Sequence, residues 1–197
     1  MNKFLVLVLL SIAACSTKET EIVGIKQPKK VPLVYQDASN PAFEMHQDTL
    51  YFNQKKFSGI QYALYKLGDT AFVIPYLNGL EEGITKKWYP NKQLAEERLY
   101  VAGKKEGIHT GWWENGKKKF EFAVSNDTYT NDFKEWTSTG LLVKHFHYKD
   151  GQENGSQKLW YDTGKIRANY VILNCKRYGL LGTKNCKNVS DSIFVVK

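Results

Sequence analysis

The chain has 197 residues, 42% of them hydrophobic and 14% aromatic, enough for a folded domain. Its formal charge of +8 favours an anionic partner, and after Phe4–Ala14 no stretch is apolar enough to cross a bilayer. No Gly-x-Ser-x-Gly elbow, His-Glu-x-x-His, phosphate-binding glycine loop or serine-type triad spacing occurs, so the sequence reads as non-enzymatic, with no cofactor and no metal site.

Met1-Asn-Lys3 is a short basic start to the apolar run Phe4–Ala14, which ends in small residues as a secretory signal does. Ile12-Ala13-Ala14-Cys15 resembles the bacterial lipobox: aliphatic, small, small, then the cysteine that takes the lipid. Residues 1–14 are therefore expected to be a lipoprotein signal peptide and Cys15 the lipidation (palmitate) site, giving an anchored rather than a spanning protein. The expected location is a bacterial cell envelope, at the outer rather than the inner membrane, facing periplasm or surface. Export also argues against nucleic acid as the anionic partner. Residues 15–48 are polar, with Pro28, Pro32, Pro41 and Lys29-Lys30, and read as a tether. The domain proper is expected over 49–197.

Leu50 to Gly59 reads as a first hairpin with its turn at Asn53–Lys56, and 61–76 as a degenerate capping unit. From Tyr76 one unit recurs with a period of 24 residues. Trp88, Trp112, Trp136 and Trp160 hold that spacing, as do Gly59, Gly83, Gly107, Gly155 and Gly179, which are read as repeat turns, with Asn131 in the missing slot. Two further turn series run Gly68, Lys92, Gly116, Gly140, Gly164 and Gly79, Gly103, Asp127, Gly151. In the unit after Gly107, Asn115-Gly116 separates Ile108–Trp113 from Lys117–Val124, a strong hairpin signal that expects positive φ at both turn residues. The second run alternates, Phe120, Phe122 and Val124 on one face and Lys117, Lys119 and Glu121 on the other. The fold expected is all-β: an elongated single-layer antiparallel meander of about ten to twelve strands built from repeated β-hairpins. A cap over 171–197 ends it, closing on the strand-like Ser192–Val196.

Tyr-x-x-Gly-x-x-x-Gly followed by Trp-aromatic-x-Asn-Gly resembles the MORN repeat in its bacterial variant. Tyr100–Gly107 and Tyr148–Gly155 match the linking half; Trp88–Asn91, Trp112–Gly116 and Trp160–Gly164 match the hairpin half. The likeness runs from about Leu50 to Gly179 and weakens at Val124, Asp127 and Asn131. The resemblance implies a membrane-associated, non-catalytic binding or scaffold module for a protein, lipid headgroup or glycan. Because bacterial members often carry an antitoxin-like label, it also implies an alternative, an exported immunity protein that neutralises a toxin.

Within the array the tryptophan column has two readings, an aromatic ladder between hairpins or a ring platform for a ligand, and the face it takes depends on whether the turn carries a bulge. The lysines at 55–56, 86–87, 104–105 and 117–119 are either solvated edge charges or a surface for anionic headgroups, each worth up to about 1 kcal/mol. Cys175 and Cys186 are candidates for a disulfide inside the C-terminal cap, the alternative being two free thiols. His145 and His147 share the charged face of one strand, a weak metal signal without a third ligand nearby.

Overall fold

The computed structural model describes residues 26–182. Among them it contains strands and no helix: β1 (Tyr35–Asp37), β2 (Phe43–His46), β3 (Thr49–Phe52), β4 (Lys55–Lys56), β5 (Gly59–Leu64), β6 (Thr70–Leu77), β7 (Leu80–Glu81), β8 (Gly83–Trp88), β9 (Leu94–Val101), β10 (Lys104–Trp112), β11 (Lys118–Ser125), β12 (Thr128–Trp136), β13 (Leu142–Lys149), β14 (Gln152–Trp160), β15 (Ile166–Leu173) and β16 (Lys176–Leu180). One 13-stranded sheet runs from β5 to β16 in chain order, every neighbouring pair antiparallel, with β1 added outside β5 and the short β7 set against β6. This is the expected elongated meander, with more strands than expected because β1 joins it from the stretch read as a tether and β7 and β8 divide what is one strand, β10, in the next unit.

Two kinds of turn alternate along it. At the linking end, Asn78-Gly79, Ala102-Gly103, Asn126-Asp127, Asp150-Gly151 and Asn174-Cys175 each have positive φ at both residues, the two-residue turn that matches strand twist. At the other end, Trp113 N–H donates to Lys117 O and Gly116 N–H to Trp113 O, both at 2.8 Å, and within this loop only Gly116 (φ 82°) is left-handed. The same pattern closes on Tyr65, Tyr89, Thr137 and Tyr161. Asn115-Gly116 is therefore part of a three-residue loop, not the two-residue turn expected from the sequence. Asn115 Oδ1 accepts the Lys117 N–H at 3.1 Å, but the loop does not depend on it, because Leu67, Thr139 and Thr163 hold the equivalent place in tips that close in the same way.

The hydrophobic face is held by same-face neighbours across strands, since one layer has no opposing sheet. A contiguous row of rings runs Tyr100, His109, Phe122, Phe133, Tyr148, Phe146, Tyr170, with Phe122 and Phe133 stacked at 5.2 Å. Phe122, Val124, Phe146, Ala168, Tyr170 and Ile172 are buried along it.

The N-terminal expectation needs correcting. Residues 15–48 are not a free tether throughout: Lys29 N–H donates to Glu82 Oε1 at 2.6 Å, and β1 pairs in parallel with β5. β2 joins β3 and β4 in a separate three-stranded sheet, whose turn is Asn53-Gln54 rather than 53–56. Phe43, Phe52 and Phe57 cluster there and pack with Leu50 against Tyr76 and Ile74, so apolar residues hidden in a polar stretch draw it onto the array. Gly79 is the docking point: its N–H donates to Phe57 O at 2.6 Å, its carbonyl accepts from Leu50 N–H at 2.8 Å, and a Cβ would lie 2.5 Å from Thr49 Cγ2.

Candidate functional site

The hairpin tips are tied to one another by bonds that follow the repeat. Tyr65 Oη donates to Trp88 O at 2.6 Å, Tyr89 Oη to Trp112 O at 3.0 Å and Trp113 Nε1 to Trp136 O at 3.0 Å. Asn91 Nδ2 donates to Glu114 O and Asn115 Nδ2 to Ser138 O, at 2.9 and 2.7 Å. The tips at Tyr65, Tyr89 and Trp113 thus each fix the next, and side chains between them are held in a defined row.

That row carries two open grooves. The first, about 330 Å³, is lined by Tyr65, Phe72, Trp88 and Tyr89 with Lys87, Glu96 and Lys119. The second, about 510 Å³, is lined by Trp113, Phe120, Trp136 and Val143 with Lys119, Glu135 and Asp162. They are one site repeated two units on: Tyr65 corresponds to Trp113, Phe72 to Phe120, Trp88 to Trp136 and Lys87 to Glu135. Lys119 lines both, its Nζ 4.6 Å above the Trp113 ring. Phe120 owes its position to Gly111, opposite which it stands: a Cβ there would come within 2.3 Å of the ring.

The opposite end is a latch of side-chain acceptors, of which Glu82 and Glu106 are buried. Glu82 Oε2 accepts the Ala102 N–H at 2.6 Å, Glu106 Oε2 the Asn126 N–H at 3.0 Å and Ser58 Oγ the Asn78 N–H at 2.8 Å. Each bond runs 20 residues forward to the following linking turn, the last one closing the N-terminal cap. Burial also pushes the neighbouring Glu81 carboxyl above the usual range, against the pull of Lys87.

The structure assigns different work to the residues singled out in the sequence. Trp88, Trp112, Trp136 and Trp160 each end a strand at a register shift, half-buried. The ring ladder is built instead from mid-strand Phe, Tyr and His, because only those positions face their equivalents across the sheet. Trp112 is paired with Lys118, while Trp113 shares a groove with Phe120. Gly107, Gly155 and Gly179 lie inside strands, and Gly59 and Gly83 begin them, so this series is not the hairpin turns. At Gly107 and Gly155 the ladder shifts register, a bulge that demands left-handed backbone (φ 73° and 69°), and Asn131 (φ 55°) supplies it in the missing slot.

Cys175 is exposed in a turn beside Glu153 and Arg177; Cys15 and Cys186, like the expected strand at 192–196, lie outside the described residues. His145 Nε2 and His147 Nδ1 reach the two oxygens of Asp132 at 3.1 and 3.3 Å, with Lys134 Nζ at 2.9 Å. Partial burial opposes ionisation of Asp132, but Lys134, His147 and His145 outweigh it and hold the carboxyl at about 2. Sequence spacing missed Asp132 because it reaches the histidines only through pairing of β12 with β13. Among the described residues no His, Cys, Asp and Glu group has metal-holding geometry. Comparisons with protein-family models, curated proteins and solved structures find no match for this chain.

Proposed function

We propose that the chain is a non-catalytic binding module carried at a bacterial cell envelope, offering its hairpin array to a protein, lipid or glycan. The observation that carries this reading is the recurrence of one aromatic groove, charged at its rim, two units apart on a row of mutually fixed tips. A rigid concave site with rings and a few polar groups is what ligand binding requires. The resemblance of the repeat to MORN arrays agrees with a membrane-associated scaffold, and Ile12-Ala-Ala-Cys15 supplies the expected lipid anchor. Two measurements test it. Labelled palmitate should enter the wild-type protein and not Cys15→Ser. The immobilised full chain should retain material from an envelope extract that Lys119→Ala, equally folded, releases. Labelling unchanged in Cys15→Ser removes the anchor, and equal retention by both chains removes the groove.

A further inference from the structure

We propose that the paired grooves bind an extended, β-linked neutral polysaccharide lying across the strands; this deepens the binding-module reading and rests on it. Charge argues first. Although the chain carries +8 overall, the two grooves together present Lys87 and Lys119 against Glu96, Glu135 and Asp162. Lys87 and Arg98 are already drawn to Glu96, at 3.8 and 3.1 Å, and Lys118, which stands over the Trp136 ring, is paired with Glu121. A phosphate or acidic headgroup needs an excess of cations, which this row does not give it. Ammonium donors facing carboxylate acceptors across aromatic rings suit hydroxyl groups, each of which both donates and accepts. In the first groove the ring faces of Phe72 and Trp88, negative in their quadrupole, suit the C–H faces of a sugar; in the second, Arg98, Lys118 and Lys119 stand over Phe120, Trp136 and Trp113 and bring hydroxyl-binding donors to the same row.

Spacing argues second. Phe72 on β6 and Phe120 on β11 are four strands apart, as are Trp88 on β8 and Trp136 on β12. At about 4.8 Å per strand the equivalent contacts recur every ~19 Å, matching about four pyranose rings of roughly 5 Å each. Lys119, lining both grooves, stands where the chain would pass from one to the other. Two half-sites on one rigid frame bind a long chain more tightly than a short one because the second contact is intramolecular.

The test titrates the full chain, purified in detergent, with chitohexaose and cellohexaose and with their disaccharides, following tryptophan fluorescence and heat. At least one hexamer should bind about tenfold or more tighter than its dimer. Lys119→Ala, whose melting temperature is checked first, should remove most of that advantage; Lys87→Ala, at the rim of the first groove alone, is the second variant and should weaken the hexamer while leaving part of the gain. Hexamers binding no better than dimers, or Lys119→Ala binding like the wild type, overturns the proposal. Failure of both oligosaccharides, alongside groove-dependent retention of envelope material, overturns the glycan and leaves the binding module. Groove-dependent binding to phosphatidylglycerol vesicles instead assigns the site to anionic lipid and overturns it too.

Discussion

His109 and Gln157 stand two units apart at the same place in the fold, and each fills the gap that a bulge opens in its ladder. His109 Nε2 lies 3.0 Å from Leu99 O, which can only accept, so the proton sits on Nε2; Gln157 Nε2 donates to His147 O at 2.7 Å while its Oε1 accepts the His147 N–H at 3.3 Å. Both side chains are fully buried.

This equivalence makes His109 replaceable and pH-sensitive. Burial, then the nearby Arg98 and Lys105 cations, hold its imidazole below the usual value despite the Leu99 bond. A group depressed on folding supports stability fully above its unfolded pKa, about 6.5, and loses that support as pH falls. His109→Gln should fold, match the wild type within about 1 kcal/mol at pH 8 and lose less stability between pH 7 and pH 5. Urea melts at each pH measure it; an identical pH slope would contradict it.

Glu106→Ala removes a buried charged acceptor for the Asn126 turn N–H and should cost about 1–3 kcal/mol. Its effect should be local, with faster hydrogen exchange at Asn126 and in the β11–β12 turn. Glu106→Gln, which keeps an acceptor oxygen, should restore most of the loss.

Gly111→Ala forces the Phe120 ring away, since a Cβ would lie 2.3 Å from it. Overpacking of this kind costs roughly 1–3 kcal/mol. Because Phe120 lines the second groove, the variant should also weaken any ligand of that groove more than one confined to the first. Calorimetric unfolding and titration separate the two effects.

Asp132→Asn should cost less than about 1 kcal/mol at pH 7, because the cluster is half exposed and screened. Its carboxyl is depressed to about 2, so the ionic contribution is complete above the unfolded value near 3.9 and fades as pH falls towards 2. The melting difference between variant and wild type should close across that window.

The repeat told much of this fold in advance. A hairpin unit with an apolar alternation at Phe120, Phe122 and Val124 leaves little choice but an antiparallel meander, and Phe122 and Val124 are buried there while Phe120 stacks on Phe122 and lines the second groove. Which series made turns was not legible, because glycine serves a linking turn at Gly79, a tip loop at Gly116 and a bulge at Gly107 for the same reason, tolerance of positive φ. The grooves were half legible. Tryptophan periodicity marked Trp88 and Trp136, but Lys119 and Asp162 meet Trp136 only through cross-strand placement. The N-terminal cap was hidden because β1 pairs by long-range parallel contact, for which short sequence patterns hold no sign.

The latch at the linking end has one more consequence. Glu82 reaches Ala102 and Glu106 reaches Asn126 across identical spans, while Tyr89 reaches Trp112 and Trp113 reaches Trp136 across another. The backbone link recurs more widely, with the Gly79, Gly103, Asp127 and Gly151 N–H groups donating to Phe57, Glu81, Lys105 and Tyr129 O, so neighbouring units meet in one repeated register. The chain can change length only in quanta: removing one whole unit rejoins matching partners, whereas a single-residue insertion misaligns both ends at once and turns a strand's inner face outward. Gain or loss of one complete unit therefore preserves the pairing, and on the glycan proposal the length of polymer spanned would change in the same steps.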